Sequence, residues 1–378
     1  MKTETMRLID RIIGTPLCNT IAGLAPLLTR SSSSETVVVC KFFGIGSICL
    51  SYPLLYELRQ HGKVIVYLTF RANEPVVRAM GIGQCISIDP SSFSGFIRDV
   101  LLAVRAVRKH RPGAFLNLEF FSRFAAIFSV LSGAGCRAGF HMLHLPVGKM
   151  YTHRTNLNVY RNIADNYLNI GTIAGQVTVA GSLPDYVETF PYRPPKPAIA
   201  GSDKAYFVLN AESSETIRTL RSWPMESWIE LIGRLRTTYP DHRIFVIGTV
   251  QGQQSCQQIT RPFDLDQAVT NCAGQTGFEE FAGLIAHADL VISVDSAPLH
   301  LSAFLRRKTI GMFGPETPVL YGYDLPWVRT LYRNLMCSPC LAVYDAKKSV
   351  LDCRDNQCMK QISVADVMAE AGQLLGGA

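Results

Sequence analysis

From residue 36 onward the chain alternates two kinds of apolar pattern. Short, nearly unbroken apolar runs read as strands buried on both faces, and longer stretches with apolar residues every third or fourth position read as amphipathic helices. The runs predict strands at Val37–Lys41, Val64–Thr69, Cys85–Asp89, Ala114–Leu118 and Cys136–Phe140, with helices at Ser47–His61, Glu74–Met80, Gly95–His110 and Arg123–Leu131. A stretch with Pro184, Pro191, Pro194, Pro195 and Pro197 then reads as a semi-rigid linker. A second series follows: strands at Ala205–Asn210, Arg243–Gly248, Ala268–Cys272, Leu290–Val294 and Lys308–Phe313, and helices that include Met225–Tyr239 and Phe278–His287. Such alternation implies an α/β protein with two doubly wound, Rossmann-like domains. The expected divisions are an N-terminal segment 1–34, a first domain 35–183, the linker 184–204 and a second domain 205–378. The halves share no obvious sequence repeat. Doubly wound sheets bind ligands outside the C-terminal ends of their strands, so a cleft between two such domains is the expected site.

Ahead of the first strand, Met6, Ile9 and Ile13 recur at helical spacing among the basic Lys2, Arg7 and Arg11. Residues Ile12 to Leu28 carry no charge, but Gly14, Pro16, Asn19, Gly23 and Pro26 make them a poor spanning helix. A helix on a membrane surface and a helix packed on the protein's own body both fit this segment. The 378 residues are 48% hydrophobic and 18% charged, a globular composition that excludes wholesale disorder. A net charge of +7 suits phosphates or anionic lipid as partners, and no motif points to nucleic acid. Eleven cysteines, an odd number without a secretory signal, suit a reduced cytoplasmic protein.

Candidate chemistry concentrates between Asn271 and Pro318. Asp295 and Ser296 end a buried strand where a helix begins, Pro298 sits in its first turn, and His300 follows. A helix start offers free amides and a positive dipole end, which suits a phosphate; the plainer reading is that Asp295 and Ser296 cap the helix. Between Leu209 and Trp228, Asn210, Ser213 and Ser214 form a turn, and Arg221 precedes Trp223-Pro224, with Trp223 and Trp228 read as core. Gly248 and Thr249 end a strand where a nucleotide's base or ribose would lie, and the stretch that follows offers Gln251 or Gln253, whose hydrogen bonds are weaker than a carboxylate's. Gly44 and Gly46 allow close approach of a substrate after the first strand. Glu119 ends a buried strand in the same half, with an ion pair to Arg123 as its plain reading. Cys337, Cys340, Cys353 and Cys358 admit a zinc site, a disulfide or reduced structural thiols.

Together these pieces resemble the heptosyltransferase family, glycosyltransferase family 9. The family's pattern is an Asn-x-x-Gly-x-Thr turn, here Asn271 to Thr276, then Asp-[Ser/Thr]-Gly-x-x-His and Phe-Gly-Pro-x-x-Pro, with Ala297 standing where glycine is usual. The resemblance implies a GT-B fold and an inverting transfer from a nucleoside-diphosphate sugar, with heptose as a candidate sugar and no obligatory cofactor or divalent metal. It implies that Asp295, Ser296 and the amides near Ala297 and Leu299 hold the donor, with His300 near the diphosphate and Arg221, where lysine is usual, paired to it. The implied acceptor is lipopolysaccharide or a related glycolipid or oligosaccharide, at the inner face of the cytoplasmic membrane. Ser47 stands where the family has the aspartate proposed as general base. Serine has no useful basicity, so Glu119 becomes the candidate base, ahead of His141, His144 and His153. Similar cysteine clusters occur in the family. A sugar-nucleotide-binding protein without catalysis, an epimerase on the same architecture and a plain interaction module are the alternatives.

Overall fold

The structure is a computed structural model that describes residues 3–30, 32–143, 145–201, 204–213, 218–342, 348–349 and 353–376. The chain divides into two compact units, one running to Tyr186 and the other beginning at Val187. In the first unit six strands form one sheet: β1 (Thr36–Cys40), β2 (Val64–Phe70), β3 (Gln84–Ile88), β4 (Ala114–Asn117), β5 (Cys136–Phe140) and β6 (His153–Thr155), in the order β3-β2-β1-β4-β5-β6. Every pairing is parallel. The second unit repeats this with β7 (Tyr206–Asn210), β8 (Arg243–Ile247), β9 (Val269–Asn271), β10 (Leu290–Val294), β11 (Thr309–Phe313) and β12 (Val328–Tyr332), in the order β12-β11-β10-β7-β8-β9. Counted within each unit, both sheets have the Rossmann order, with strand direction of travel reversing beside the first strand. β1, β7, β10 and β11 are buried almost throughout, which is why they read as unbroken apolar runs.

Each unit has its own core. In the second, Phe207, Leu209, Ile292 and Ile310 of the sheet pack with Trp223, Trp228 and Leu231, and Trp223 donates its indole N–H to the Ile362 carbonyl. In the first, Val38, Cys40, Val66 and Leu68 pack with Ala103, Val107, Ala125 and Phe128 of the helices Phe93–Lys109 and Arg123–Leu131. The predicted helix Ser47–His61 is two helices, Ile45–Cys49 and Tyr52–Gln60, because Pro53 suits the opening turn of a new helix better than the interior of an old one.

The N-terminal segment forms helices Thr3–Ile12 and Gly14–Leu28, and one face of the pair packs on the first unit. Cys18, Ile21 and Ala25 are buried against Ala126, Ile127, Val130 and Met150. Asp10 accepts from the Phe124 and Arg123 amides at 2.7 and 3.1 Å, so its carboxylate satisfies the open start of helix Arg123–Leu131 from another part of the chain. Burial pushes the Asp10 carboxyl up, against the pull of those amides and the Arg123 guanidinium. Among the described residues no helix is long and apolar enough to cross a membrane.

Candidate active site

In the second unit the reversal of strand order falls between β7 and β10, and the sequence-predicted residues meet at their C-terminal ends. Asn210, the last residue of β7, donates through Nδ2 to the Ser296 hydroxyl at 2.7 Å and to the Ser293 hydroxyl at 3.1 Å. Ser296 therefore does not cap the helix Ala297–Phe304: its hydroxyl faces β7 instead, on extended backbone, and makes no capping bond. In the opening turn of that helix Pro298 has no N–H, and the Leu299 amide already donates to the Ser296 carbonyl at 3.2 Å. The Leu299 amide is spent locally and its side chain is core, packed so closely on Gly311 that a Cβ there would stand 2.7 Å from Leu299 Cδ1. The helix start is left with the Ser296–Ala297 backbone to offer an anion.

Behind this turn lies a buried charged group. Arg221, from the short helix Arg218–Arg221, donates to the Asp295 carbonyl at 2.8 Å and pairs through Nη2 with Asp295 Oδ2 at 3.0 Å and Glu316 Oε2 at 3.2 Å. Arg221, Asp295 and Glu316 are all buried, so one guanidinium serves two carboxylates out of water. His300 completes the group, with Nε2 3.7 Å from Asp295 Oδ1 and Nδ1 2.9 Å from the Tyr323 hydroxyl. Ser213 is buried beside Asn210, while Ser214 lies outside the described residues. Across the sheet, Gly248 directly follows β8 with Cys256 Sγ and Glu212 Cγ against it; a Cβ there would stand 2.9 and 3.2 Å from them. Thr249, Gln251 and Gln253 are exposed, and Thr276 is half-buried in the turn after β9.

In the first unit the strand order reverses between β1 and β4. Glu119, just past β4, accepts through Oε1 from Lys41 Nζ (2.8 Å), the Phe42 amide (2.7 Å) and the Phe43 amide (2.9 Å). Asn117 holds the Glu119 amide at 3.0 Å, and Asn73 binds the Phe42 carbonyl at 2.7 Å. The Glu119 carboxylate thus organises the turn that leads to Gly44, whose φ of +84° is a left-handed conformation open to glycine, and to the helix carrying Gly46 and the half-buried Ser47. The expected Glu119–Arg123 ion pair is replaced by Glu119–Lys41 and Arg123–Asp10. His153 bonds Thr152 through Nδ1 at 2.9 Å, His141 is half-buried, and His144 lies outside the described residues.

The family model of glycosyltransferase family 9 (heptosyltransferase) matches residues 125–351. The chain belongs to this family. It is accordingly a glycosyltransferase. Lipooligosaccharide heptosyltransferase 2 of Campylobacter jejuni serotype O:6 is 26% identical over 336 residues, covering 87% of this chain and 96% of that protein. The structure of Escherichia coli ADP-heptose lipopolysaccharide heptosyltransferase II matches with a TM-score of 0.67 at 16% identity, over 90% of this chain and 98% of that one. Escherichia coli heptosyltransferase WaaC, solved with ADP, matches with a TM-score of 0.67 at 16% identity, over 90% of this chain and 99% of that one. These likenesses establish the fold class as GT-B.

Three residues around this candidate site were not singled out from sequence. Glu316 and Tyr323 lie beyond the Asp295 motif and reach Arg221 and His300 only through tertiary packing. Glu212, from the turn after β7, reaches the end of β8: a Cβ on Gly252 would stand 2.4 Å from Glu212 Cδ. A carboxylate thus stands where the β8 loop itself supplies only glutamines. None of the eleven cysteines is joined in a disulfide in this structure. Among the described residues no three His, Cys, Asp or Glu side chains are grouped to hold a metal ion. The tail cysteines are nevertheless near neighbours: burial, then Cys340, Cys353 and Cys337, push the Cys358 thiol up to about 11.

Proposed function

We propose that the chain is an inverting glycosyltransferase that moves a heptose-type sugar from a nucleoside-diphosphate donor to a lipopolysaccharide or lipooligosaccharide acceptor at the inner face of the cytoplasmic membrane. The observation that carries this is the Arg221–Asp295–Glu316–His300 group at the β7/β10 reversal, directly beneath the helix start at Ser296. The donor's diphosphate lies against the Ser296–Ala297 backbone, beside the Asn210–Ser296 hydrogen bond that fixes this turn. Arg221, bound to the Asp295 carbonyl, is the cation proposed to meet the departing diphosphate, which competes with Glu316 for its Nη2. Because Asp295 and Glu316 already fix the guanidinium, little reorganisation is needed as charge develops on the leaving group. Glu212, beside Gly248 and Gly252, is the acidic partner for the ribose hydroxyls. The methyl of Ala297 narrows the approach that glycine would allow.

On the acceptor side, Glu119 acts as the base through Oε2 while Oε1 holds the Lys41–Phe43 turn in place. Ser47 contributes a hydroxyl and no basicity. The donor is an ADP form, as in the ADP complex of WaaC. Thermal stabilisation by ADP-, GDP-, UDP- and CDP-sugars tests donor binding, and product NMR after transfer to a heptose-deficient glycolipid core tests the reaction. An ADP-sugar raises the melting temperature most, and the product carries the inverted anomeric configuration. Tight donor binding without transfer to any acceptor would mark a protein that binds and does not transfer, and a retained configuration would exclude direct displacement.

A further inference from the structure

The outer face of the N-terminal helix pair has no function in the reaction, and its chemistry is unlike that of an ordinary solvated helix. On helix Gly14–Leu28 the buried residues Gly14, Cys18, Ile21 and Ala25 form one stripe against the first unit. A second stripe, Leu17, Leu24 and Leu27, follows helical spacing on the side facing away, and Leu27 is 81% exposed. The preceding helix continues it with Leu8 and Ile12, the latter 62% exposed. A surface helix with apolar residues on both faces leaves one face without a partner.

The exposed charges around the helix Gly14–Leu28 are basic, and Glu4 stands at the far start of the preceding helix. Between residues 5 and 30 the sole carboxylate is Asp10, and it is turned inward onto Arg123 and Phe124. No charged residue falls between Ile12 and Leu28, and Arg11 and Arg30 stand exposed at the two ends. Lys149 is exposed alongside and bonds Asn19 at 3.1 Å. At the Leu28 end the exposed Arg108 of the helix Phe93–Lys109 donates to the Leu28 carbonyl at 3.4 Å and adds a further cation. An uncharged apolar strip bounded by cations matches a bilayer surface, where leucines enter the acyl boundary and arginines meet lipid phosphates. A second protein copy fits less well, because pairing this face with itself would bring the arginine and lysine borders of both copies together.

We propose that this outer face docks the enzyme on an anionic phospholipid bilayer. The inference deepens the membrane part of the proposed function and rests on that part alone, not on the identity of donor or acceptor. The test is flotation of the full chain with vesicles of phosphatidylethanolamine and phosphatidylglycerol, against vesicles of phosphatidylcholine alone. The wild type is expected to float with the anionic vesicles and to be released by high salt. Leu17→Glu/Leu24→Glu/Leu27→Glu is expected to bind about tenfold more weakly or worse. The single Leu27→Glu, at the most exposed of the three, keeps the test valid if the triple variant folds poorly. Both variants should keep wild-type transfer to a soluble, lipid-free acceptor, which separates loss of docking from loss of the reaction. Unchanged flotation of a folded variant overturns the proposal. So does a wild type that ignores anionic vesicles and instead forms a dimer that Leu27→Glu dissolves.

Discussion

Arg221 carries more than its own charge, because two buried carboxylates depend on it. Arg221→Met should lower stability by about 3–5 kcal/mol, since Asp295 and Glu316 would be left buried without a cation; a urea titration reads this. Arg221→Lys keeps the charge but cannot serve the Asp295 carbonyl and both carboxylates as a fork does, and kcat should fall by about 100-fold or more with the fold intact. Glu119→Gln still offers an oxygen to the Phe42 and Phe43 amides but cannot take a proton. We expect kcat to drop about 100- to 10,000-fold while donor-induced stabilisation is kept. Near-normal turnover would remove Glu119 from the chemistry and leave it the positioning task seen at Oε1. Asp295, Ser296, His300 and Asn210 were legible because strand-end turns have a local signature. Glu316, Tyr323 and Glu212 were not, because their partners are set by which strands lie side by side. The turn bond from the Leu299 amide to the Ser296 carbonyl was not legible either, because it depends on how tightly the helix start winds.

At the scale of elements, apolar runs marked ten of the twelve strands that make up the two sheets to within a residue or so, because most of those strands are buried on both faces; β3 and β9, at or near the sheet edges, are only partly buried. β6 is three residues long, and β12 mixes Arg329 and Thr330 among its apolar positions, so neither stood out. The helix Ile163–Ile173 was missed as well; Asn166 and Asn169 interrupt its apolar pattern, although Asn166 turns inward to bond the carbonyls of Asn158 and Asn162. Elements of the second unit are tied together by Arg236, which links helix Met225–Thr238 to Asp266 at 2.8 Å just before β9. The Arg236 guanidinium, then the Ala268 amide, hold the Asp266 carboxyl below its ordinary value of 3.8. A lowered folded pKa gives stability that is present above the unfolded value and lost as pH falls through the folded one. Asp266→Asn should therefore cost about 0.5–1 kcal/mol at neutral pH, modest because the pair is partly solvated, and the gap to wild type should close below pH 3.8. Thermal melts across the acid range check this.

For the molecule as a whole, the two units have separate cores, and the proposed donor pocket lies within the second. Calorimetry with a saturating ADP-sugar should raise the transition of the second unit by an amount equivalent to about 2.7 kcal/mol at a hundredfold excess over Kd, leaving the first unit's transition in place. The common strand order was not readable from residues, because the halves resemble one another in backbone path and not in side chains. The Asp10 carboxylate has a practical corollary for anyone trimming this protein. An amphipathic leader is an obvious piece to remove in search of a better-behaved enzyme, yet the cut would take away the group that closes off the amino end of a helix more than a hundred positions downstream and would strip the cover from Ala126 and Val130. Shortening the chain at its front is thus an injury to the interior, and changes meant to free the enzyme from lipid belong on the outward leucines.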